Sequence, residues 1–203
     1  YLAGRGLDLA QLGRIPRGLR FHPACFNAEA GIALPAMLAA VQRRGVHIGT
    51  HRTWLMQDRG AWTKARVAKP KKVLGRVKGG HIPLWRGASG RPLAEAKTGE
   101  TVAITEGIED ALTVALHSPE WRVLAAYSIE NMAELALPEA CLDVVLVFDR
   151  DGENPQARQA RARAERTLLE QGRSVRPVRP PEGFKDFNDW HQAQLRAGER
   201  GVA

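Results

Sequence analysis

VLVFDRDGENP, residues 144–154, joins an uninterrupted apolar run to two aspartates, Asp149 and Asp151. A strand that is apolar at every position is typical of a parallel sheet, in which both faces of the strand are covered. The two carboxylates follow this strand directly, and a carboxylate at the end of a buried strand needs water or a cation beside it. The stretch therefore predicts a rigid buried strand that holds two acidic side chains at one edge of a sheet.

The second half of the chain alternates predicted strands with predicted helices. Apolar residues recur at helical spacing in the first helix, and Gly172 closes a long helix rich in Ala and Arg. The strands are predicted at 101–105, 122–126, 142–148 and 174–178, and the helices at 107–117, 130–137, 155–171 and 186–197. This order predicts an α/β domain over residues 99–203, with a parallel sheet and helices on both of its faces.

The first half, residues 1–98, has a different composition and a different pattern. It carries 18 Lys and Arg against 4 Asp and Glu, whereas residues 99–203 carry 12 against 18. Predicted strands at 19–22, 34–41, 47–55 and 81–85, separated by glycine turns, indicate a smaller basic α+β subdomain. A basic half can neutralise phosphates, and an acidic half can hold cations.

Acidic residues follow three of the four predicted strands of the second half. Because the carboxyl ends of parallel strands meet at one edge of a sheet, we expect these residues to lie close together. Clustered carboxylates repel each other unless cations neutralise them, and oxygen-rich clusters suit Mg²⁺. Two such ions can clamp the attacking and leaving oxygens of a phosphoryl transfer. The candidates are Glu106 after the first strand, Asp110 one helical turn beyond it, Asp149 and Asp151 after the third strand, and Asp186 and Asp189 after the fourth.

Most of these acids also have a purely structural explanation, and the pair Asp149 and Asp151 could be a turn or surface feature. Glu106 could simply start a helix, because an acid favours the positive end of the helix dipole. Asp186 or Asn188 could cap the last helix, and Asp110 could be a solvated helix residue. Glu109 is adjacent to Asp110 and is expected to point away from the cluster.

Three motifs in this order resemble the Toprim domain, which serves primases, topoisomerases, recombination proteins and some nucleases. They are TEGIEDALTVAL (105–116), VLVFDRDGENP (144–154) and GFKDFNDW (183–190). KDFND is similar to an element of phage-type primase–helicases. In the first half, YLAGRGL (1–7) is similar to the segment that opens the polymerase core of bacterial primases, and LRFHP (19–23) is similar to the basic subdomain that precedes Toprim in primases of phages, plasmids and integrated elements. The resemblance is therefore to the primase type and covers nearly the whole chain.

The resemblance implies the core of a DNA primase that synthesises short primers on single-stranded DNA from nucleoside triphosphates. Glu106 matches the catalytic glutamate, Asp149 and Asp151 match the metal-binding pair, and Asp110, Asp186 and Asp189 match further metal-site acids. It also implies Mg²⁺ or Mn²⁺, with two ions when substrate is bound, and a zinc-binding module and a helicase as partners in the full-length protein or replisome. A cytoplasmic location in a bacterial cell is expected. The candidates for binding template and nucleotide are Arg52, Lys64, Lys69, Lys71, Lys72, Lys78 and Lys185.

Two other functions stay open. A Toprim nuclease would use the same acids to activate water, and a non-catalytic DNA-binding module would need no divalent ion. A topoisomerase is disfavoured because it needs a nucleophilic tyrosine, and Tyr1 and Tyr127 are the only tyrosines. No zinc is expected in this chain, because Cys25 and Cys141 cannot form a four-ligand site alone and the histidine spacing matches no zinc pattern. No apolar run approaches the length of a membrane span, so no membrane partner is expected.

Overall fold

The computed structural model describes residues 1–150 and 154–200, in which two five-stranded sheets form the frame. The first sheet contains β1 (Leu19–Asn27), β2 (Ile32–Arg43), β3 (Val46–Asp58), β4 (Ala61–Lys64) and β5 (Lys71–Gly75). All of its pairings are antiparallel. β1, β2 and β3 follow one another across the sheet, and β4 and β5 pair with successive parts of β3. The basic residues of the first half are thereby carried on one continuous sheet.

Two tight hairpins of the first sheet turn on an Arg-Gly pair. Arg44 and Gly45 join β2 to β3 with φ of 51° and 79°, and Arg59 and Gly60 join β3 to β4 with φ of 50° and 84°. A two-residue hairpin loop of this type needs positive φ at both positions, which glycine adopts freely and arginine does not. Both arginines are exposed, so the two turns present their side chains to solvent in equivalent backbone settings.

The second sheet contains β6 (Ile82–Arg86), β7 (Thr101–Thr105), β8 (Arg122–Ala125), β9 (Asp143–Val147) and β10 (Ser174–Val178). The strands lie in the order β10-β9-β7-β8-β6. β7 to β10 run parallel, and β6 pairs antiparallel with β8 at one edge. The register aligns the last residues of β7, β8, β9 and β10 with one another. Side chains that follow these strands are therefore brought to the same edge of the sheet.

Four α-helices cover the second sheet. They are α1 (Ile108–His117), α2 (Ile129–Met132), α3 (Pro155–Glu170) and α4 (Phe187–Arg200). α3 begins at Pro155 because Asn154 caps it: the Asn154 Oδ1 accepts hydrogen bonds from the backbone N–H groups of Gln156 and Ala157. In the described part of the chain, no helix has the length and apolar character needed to cross a bilayer.

The core explains the apolar run of residues 144–147. Val144 and Leu146 pack in a cluster with the apolar residues of α3, whereas Val145 and Val147 pack in a second cluster with those of α1. All four side chains are at most 1% exposed. Each face of β9 is covered, so the predicted burial on both faces is confirmed.

The predicted α/β architecture is confirmed, with two differences in detail. The helix expected at 130–137 is the single turn Ile129–Met132, because the Ala136 N–H donates to the Gly79 carbonyl (3.2 Å) instead of continuing a helix. The strand expected at 81–85 forms, but as β6 it joins the second sheet. An apolar segment predicts a strand and leaves its partner open, so the sequence could not assign β6 to a sheet.

The first half is strand-rich. Its helical segments are three 3₁₀ turns at Ala3–Arg5, Leu9–Leu12 and Leu93–Glu95. Because β6 belongs to the second sheet and the Gln42 and His81 backbones exchange hydrogen bonds (both 2.8 Å), the two halves are joined well before residue 99. The domain boundary at 98–99 stays a prediction.

The segment before β1 lies against α1 and α4. The Arg5 carbonyl accepts a hydrogen bond from Asn188 Nδ2 (3.0 Å), and the Gly6 carbonyl accepts one from His191 Nε2 (2.8 Å). Leu7 is 1% exposed in the core shared with α1. These contacts place Tyr1 and Arg5 at the edge where the parallel strands end.

Candidate active site

Three aspartates converge at the carboxyl edge of the second sheet. Asp149 follows β9, Asp110 lies in the first turn of α1, and Asp186 immediately precedes α4. One carboxylate oxygen from each lies within 4.8 Å of the other two. The structure therefore brings together three of the acids that the sequence assigned to a metal site.

Asp110 is the most buried member of this group, at 5% exposure. Its Oδ1 accepts a hydrogen bond from the backbone N–H of Asn188 (2.9 Å), which ties α1 to α4. Burial, then the charges of Asp149 and Asp186, raises the pKa of Asp110 to about 8. It is a helix residue turned inwards, which excludes the alternative of a solvated one. Three carboxylates at this separation repel each other, and a bound cation would relieve that repulsion.

Asp186 combines two roles that the sequence had offered as alternatives. Its Oδ1 accepts a hydrogen bond from the backbone N–H of Asp189 (2.7 Å), which is the capping contact expected at the start of α4. The same carboxyl group belongs to the three-aspartate cluster. The cap fixes the rotation of the side chain, so the helix start positions a potential metal ligand.

The other predicted acids are placed differently. Asp189 points to Arg5, with 3.6 Å between its Oδ1 and the Arg5 Nη2, and is not part of the cluster. Glu106 lines the same cavity as the three aspartates but is also outside the group within 4.8 Å. Asp151 lies outside the described residues. Metal binding by Asp151 and Asp189, and catalysis by Glu106, stay predictions.

Glu109 is a residue whose part in the site the sequence did not predict. It is 5% exposed, and its Oε1 accepts a hydrogen bond from the Tyr1 hydroxyl (2.5 Å). The Nζ atoms of Lys64 and Lys71 lie 3.0 and 3.4 Å from the same oxygen. Burial alone would raise the pKa of Glu109, but Lys71 and Lys64, with the Tyr1 hydroxyl, outweigh burial and hold the pKa well below its usual range. Glu109 is therefore an ionised buried carboxylate that holds two lysines.

A cavity of about 290 Å³ lies between these charged groups. Its lining contains the acidic residues Glu106, Glu109 and the three clustered aspartates, together with four basic residues, Arg5, Lys64, Lys71 and Lys185, which we call the basic wall. His51, also in the lining, is 7% exposed, and burial followed by the charge of Lys71 lowers its pKa to about 4. His51 is therefore neutral near pH 7. We call this space the catalytic cavity.

The predicted nucleic-acid-binding residues do not form one surface. Lys64, Lys71 and Lys185 line the catalytic cavity. Lys69 and Lys72 pair with Glu29 on the first sheet, Lys78 pairs with Glu134, and the Arg52 guanidinium lies over the Trp54 ring, 4.8 Å from its centroid. Arg5 was missed, although it lies in YLAGRGL, one of the motifs that carried the resemblance. Its tie to α4 depends on contacts 183 and 184 residues away in the chain, which no local pattern reveals.

The histidines and cysteines form no metal site in the described part of the chain, where the three aspartates are the one group with ligand spacing. The His191 Nε2 donates to the Gly6 carbonyl, and its Nδ1 lies 3.1 Å from the His117 Nε2, so these two rings bond to the chain and to each other. Cys25 and Cys141 are free thiols. Trp54 is a core residue, 1% exposed, and its indole N–H donates to the Cys25 carbonyl (2.9 Å).

Comparison with known protein families divides the chain into two parts. Residues 101–197 match the family described as the Toprim domain, which confirms the resemblance carried by the three acidic motifs. Residues 1–84 match a family described as a domain of unknown function (DUF7146). A search of curated protein sequences found no match.

Comparison with solved structures shows that the fold extends over the whole chain. The primase fragment of the bacteriophage T7 primase-helicase protein is 15% identical with a TM-score of 0.57, and the match covers 98% of this chain and 71% of that one. A DNA primase domain from Pseudomonas aeruginosa is 20% identical with a TM-score of 0.54, covering 97% and 68%. The DnaG primase catalytic domain bound to single-stranded DNA is 18% identical with a TM-score of 0.55, covering 98% and 71%. The chain therefore has the fold of primase catalytic cores.

Proposed function

We propose that this chain is the catalytic core of a DNA primase, which joins nucleotides into a short primer on a single-stranded DNA template. The observation that carries the proposal is the catalytic cavity, which is lined both by three converging carboxylates and by four basic residues. Template-directed phosphoryl transfer needs both, because metal ions must be held near a polyanionic triphosphate. The fold shared with primase cores favours this reaction over others that an acidic cluster can support.

The three aspartates fit a divalent metal site. They offer hard oxygen ligands on separate elements, and the raised pKa of Asp110 reflects burial beside two like charges that a cation would compensate. Mg²⁺ or Mn²⁺ bound there would neutralise charge that develops at the α-phosphate during the transfer. Asp110, Asp149 and Asp186 would hold it, and Asp151 and Asp189 remain the predicted candidates for a second ion.

The basic wall would bind the triphosphate. Lys64 and Lys71 share a single carboxylate, that of Glu109, so the three groups together leave a positive charge beside the cavity. Arg5 and Lys185 line the same space. Charge-assisted hydrogen bonds from such donors to phosphate oxygens are stronger than neutral ones and would orient the nucleotide.

Glu106 is the proposed proton acceptor. It directly follows β7 and lines the catalytic cavity. As the 3′-hydroxyl oxygen forms its bond to the α-phosphorus, the hydroxyl proton would pass to the Glu106 carboxylate. The bond between the α-phosphorus and its bridging oxygen would break, and pyrophosphate would leave.

The proposed partners follow from this reaction and from the structural neighbours. The DnaG neighbour was solved bound to single-stranded DNA, and the T7 neighbour is a fragment of a primase-helicase protein. For this chain we propose single-stranded DNA as template, nucleoside triphosphates as substrates, and a helicase and a zinc-binding module as functional partners.

The test is primer synthesis on single-stranded DNA with labelled nucleoside triphosphates, in Mg²⁺, Mn²⁺ or EDTA. Wild type would be compared with Asp149→Asn and Asp186→Asn. Asp58→Asn is the matched control, because Asp58 pairs with Arg66 at the surface and does not line the catalytic cavity. We expect metal-dependent oligonucleotides from wild type and the control, and at least a 100-fold loss in each active-site variant.

Two outcomes would reject the proposal in favour of the alternatives. Metal-dependent cutting of DNA without any synthesis would identify a nuclease that uses the same acids. DNA binding that persists in EDTA, with neither synthesis nor cutting by the full-length protein, would identify a binding module.

A further inference from the structure

A second and larger cavity, of about 630 Å³, is lined by most of β6. It shares no lining residue with the catalytic cavity. Ile82 at the start of β6 lines the catalytic cavity, whereas His81 before it and the other residues of β6 line the larger one. Its volume is in the range of ligand-binding clefts. We call it the arginine cleft, after Arg14, Arg17, Arg44 and Arg86 in its wall.

The charge of the arginine cleft is of one sign. None of its lining residues is Asp or Glu. Among the described residues, Arg14, Arg17, Arg44 and Arg86 form no ion pair, although surface arginines elsewhere in the chain do. Arg122, the fifth arginine of the wall, is 2% exposed and pairs with Glu100 (2.6 Å), so its charge is compensated. Four uncompensated positive charges thus border one cleft.

The four arginines form a row. The antiparallel bridge between Gln42 and His81 places Arg44 two residues beyond it in one direction and Arg86 five residues beyond it in the other. At about 3.3 Å per extended residue, the backbones of Arg44 and Arg86 are about 20 Å apart. Arg17 lies between these ends, because the adjacent Gly18 accepts a hydrogen bond from Ala40 N (2.9 Å) and approaches the Pro83 carbonyl.

Arg14 marks the Arg86 end of the row. Its guanidinium lies over the Trp85 ring, 4.4 Å from the centroid, and donates to the Gly87 carbonyl (3.2 Å). Burial, then the charges of Arg86 and Arg122, lowers the pKa of Arg14. The guanidinium groups of Arg14, Arg86 and Arg122 repel each other, and an anion bound between them would offset that repulsion.

The floor of the cleft is apolar, with Pro83, Leu84, Leu93 and Leu137 in its lining. His81 in the same lining is 2% exposed, and its buried Nδ1 has no hydrogen-bond partner among the described residues. The cleft therefore offers an apolar base and a polar ring nitrogen under a cationic rim. This combination suits a ligand with flat apolar groups joined by regularly spaced anions.

We propose that the arginine cleft binds a segment of single-stranded nucleic acid. One strand of B-form DNA carries a phosphate about every 3.4 Å, so a row of about 20 Å can face on the order of four to six phosphates. Arginine suits this role because its planar fork matches phosphate geometry. The row favours a linear polyanion over a compact one, and the apolar floor favours bases. This site goes beyond the proposed catalytic function, whose reacting groups lie in the other cavity.

The test measures binding of a fluorescent oligothymidylate by anisotropy in EDTA, where no nucleotidyl transfer takes place. The test variant is Arg44→Glu, alone and with Arg17→Glu. Arg59→Glu is a closely matched control: Arg59 has the same charge, exposure, positive φ and following glycine, but lines neither cavity. Asp149→Asn reports on the catalytic cavity in the same assay.

We expect Arg17→Glu/Arg44→Glu to weaken oligothymidylate binding at least tenfold. It should also flatten the dependence of log affinity on log salt by about 1.4, since two phosphate contacts are lost. Arg59→Glu should stay within twofold of wild type. Equal affinities for the double variant and the Arg59→Glu control would overturn the proposal. Full competition by polyglutamate of equal charge would also overturn it, because the cleft would then bind an acidic protein segment. Full competition by ATP at equal phosphate concentration would overturn it as well, because the cleft would then be a nucleotide site.

This result is separable from the outcome for catalysis. If wild type makes no primer, but the cleft variants bind DNA more weakly than wild type and the Arg59→Glu control do, the cleft proposal stands and the primase proposal falls. If wild type makes primers and the cleft variants bind DNA as tightly as the Arg59→Glu control, the primase proposal stands and the cleft proposal falls. Circular dichroism of each variant will confirm that the exposed substitutions leave the fold intact.

Discussion

The catalytic cavity and the arginine cleft share no lining residue and use charge in opposite ways. The catalytic cavity sets three carboxylates against basic residues, and a buried glutamate holds two of its lysines. The arginine cleft has cations only, and four of its arginines have no acidic partner among the described residues. A site that must bind a metal and a triphosphate needs both signs of charge. A surface that only follows a phosphate chain needs one.

The largest expected effect concerns Asp110, because its charge serves function at the cost of stability. Asp110→Asn should lower primer synthesis at least 1,000-fold, since a metal ligand is lost. It should also raise the free energy of unfolding by about 1 kcal/mol, because the amide oxygen can still accept from Asn188 N–H. The amide needs no proton on folding, whereas the Asp110 carboxyl, buried beside Asp149 and Asp186, must take one up near pH 7. Primer assays and urea denaturation would measure the two effects. A variant that loses stability together with activity would argue that the cluster is structural.

A smaller effect should separate the structural arginine of the cleft from the binding arginines. Arg122 donates to Glu100 (2.6 Å), the Arg91 carbonyl (2.8 Å) and Ser89 (2.9 Å). Arg122→Ala should lower the free energy of unfolding by about 3 kcal/mol, because a buried hydrogen-bonded network is broken. Arg44→Ala should change it by less than about 0.5 kcal/mol. Similar losses for both in urea denaturation would contradict the distinction.

Each cavity also contains one buried neutral histidine, which allows a pH test. Burial is the main cause that lowers the pKa values of His51 and His81 to about 4, and the charge of Lys71 adds to it at His51. In the unfolded chain these rings take up protons near pH 6.5, so between about pH 6.5 and 4 the unfolded state binds more protons. Stability should therefore fall as the pH is lowered through that window, by about 3 kcal/mol for each histidine.

The measurement is the free energy of unfolding from pH 7.5 to 4.5. His81→Asn should flatten the pH dependence, whatever its effect on stability at pH 7.5. His47→Asn, at an exposed position, should leave the slope unchanged. Parallel slopes for wild type and His81→Asn would show that His81 takes up its proton normally in the folded state.

The smallest expected effect concerns Glu109, the buried carboxylate that pairs with two lysines in the catalytic cavity. Glu109→Gln keeps an oxygen for the Tyr1 hydroxyl but no longer attracts Lys64 and Lys71. Because these lysines are proposed to orient the triphosphate, the KM for nucleotide should rise about tenfold, equivalent to about 1.4 kcal/mol, with a smaller change in kcat. Glu29→Gln, which removes the partner of Lys69 and Lys72 on the first sheet, is the control. A fall in kcat with KM unchanged would assign Glu109 to the chemical step.

The sequence predicted the acidic edge well, because it depends on local patterns. Each acid follows a strand in the chain, and parallel strands place their ends together regardless of loop detail. Asp110, Asp149 and Asp186 could therefore be assigned from short motifs. The cap at Asp186 was also foreseen, since Asp at that position is favoured at helix starts.

The basic wall and the arginine cleft could not be predicted, because they depend on pairings across the chain. Glu109 on α1 meets Lys64 of β4 and Lys71 of β5 only in the folded chain, as ion pairs between elements far apart in sequence. Lys69 and Lys72 come from the same basic stretch as Lys71, yet they turn to Glu29, because neighbouring side chains of a segment leave it in different directions. The arginine cleft needs β6 to cross into the second sheet, and no signal in residues 82–86 specifies that partner.

β10 has a consequence for solubility, since it is the outer strand of the second sheet. The Val178 carbonyl accepts from Phe148 N (3.0 Å), so the backbone groups of Val178 face inwards and those of Pro177 face outwards. Pro177 has no N–H, so the exposed border lacks a donor where another chain would dock. Arg176 and Arg179 add charge on either side of it. The sheet is thereby protected against strand-to-strand aggregation between copies of the protein, a risk for any sheet with an open side.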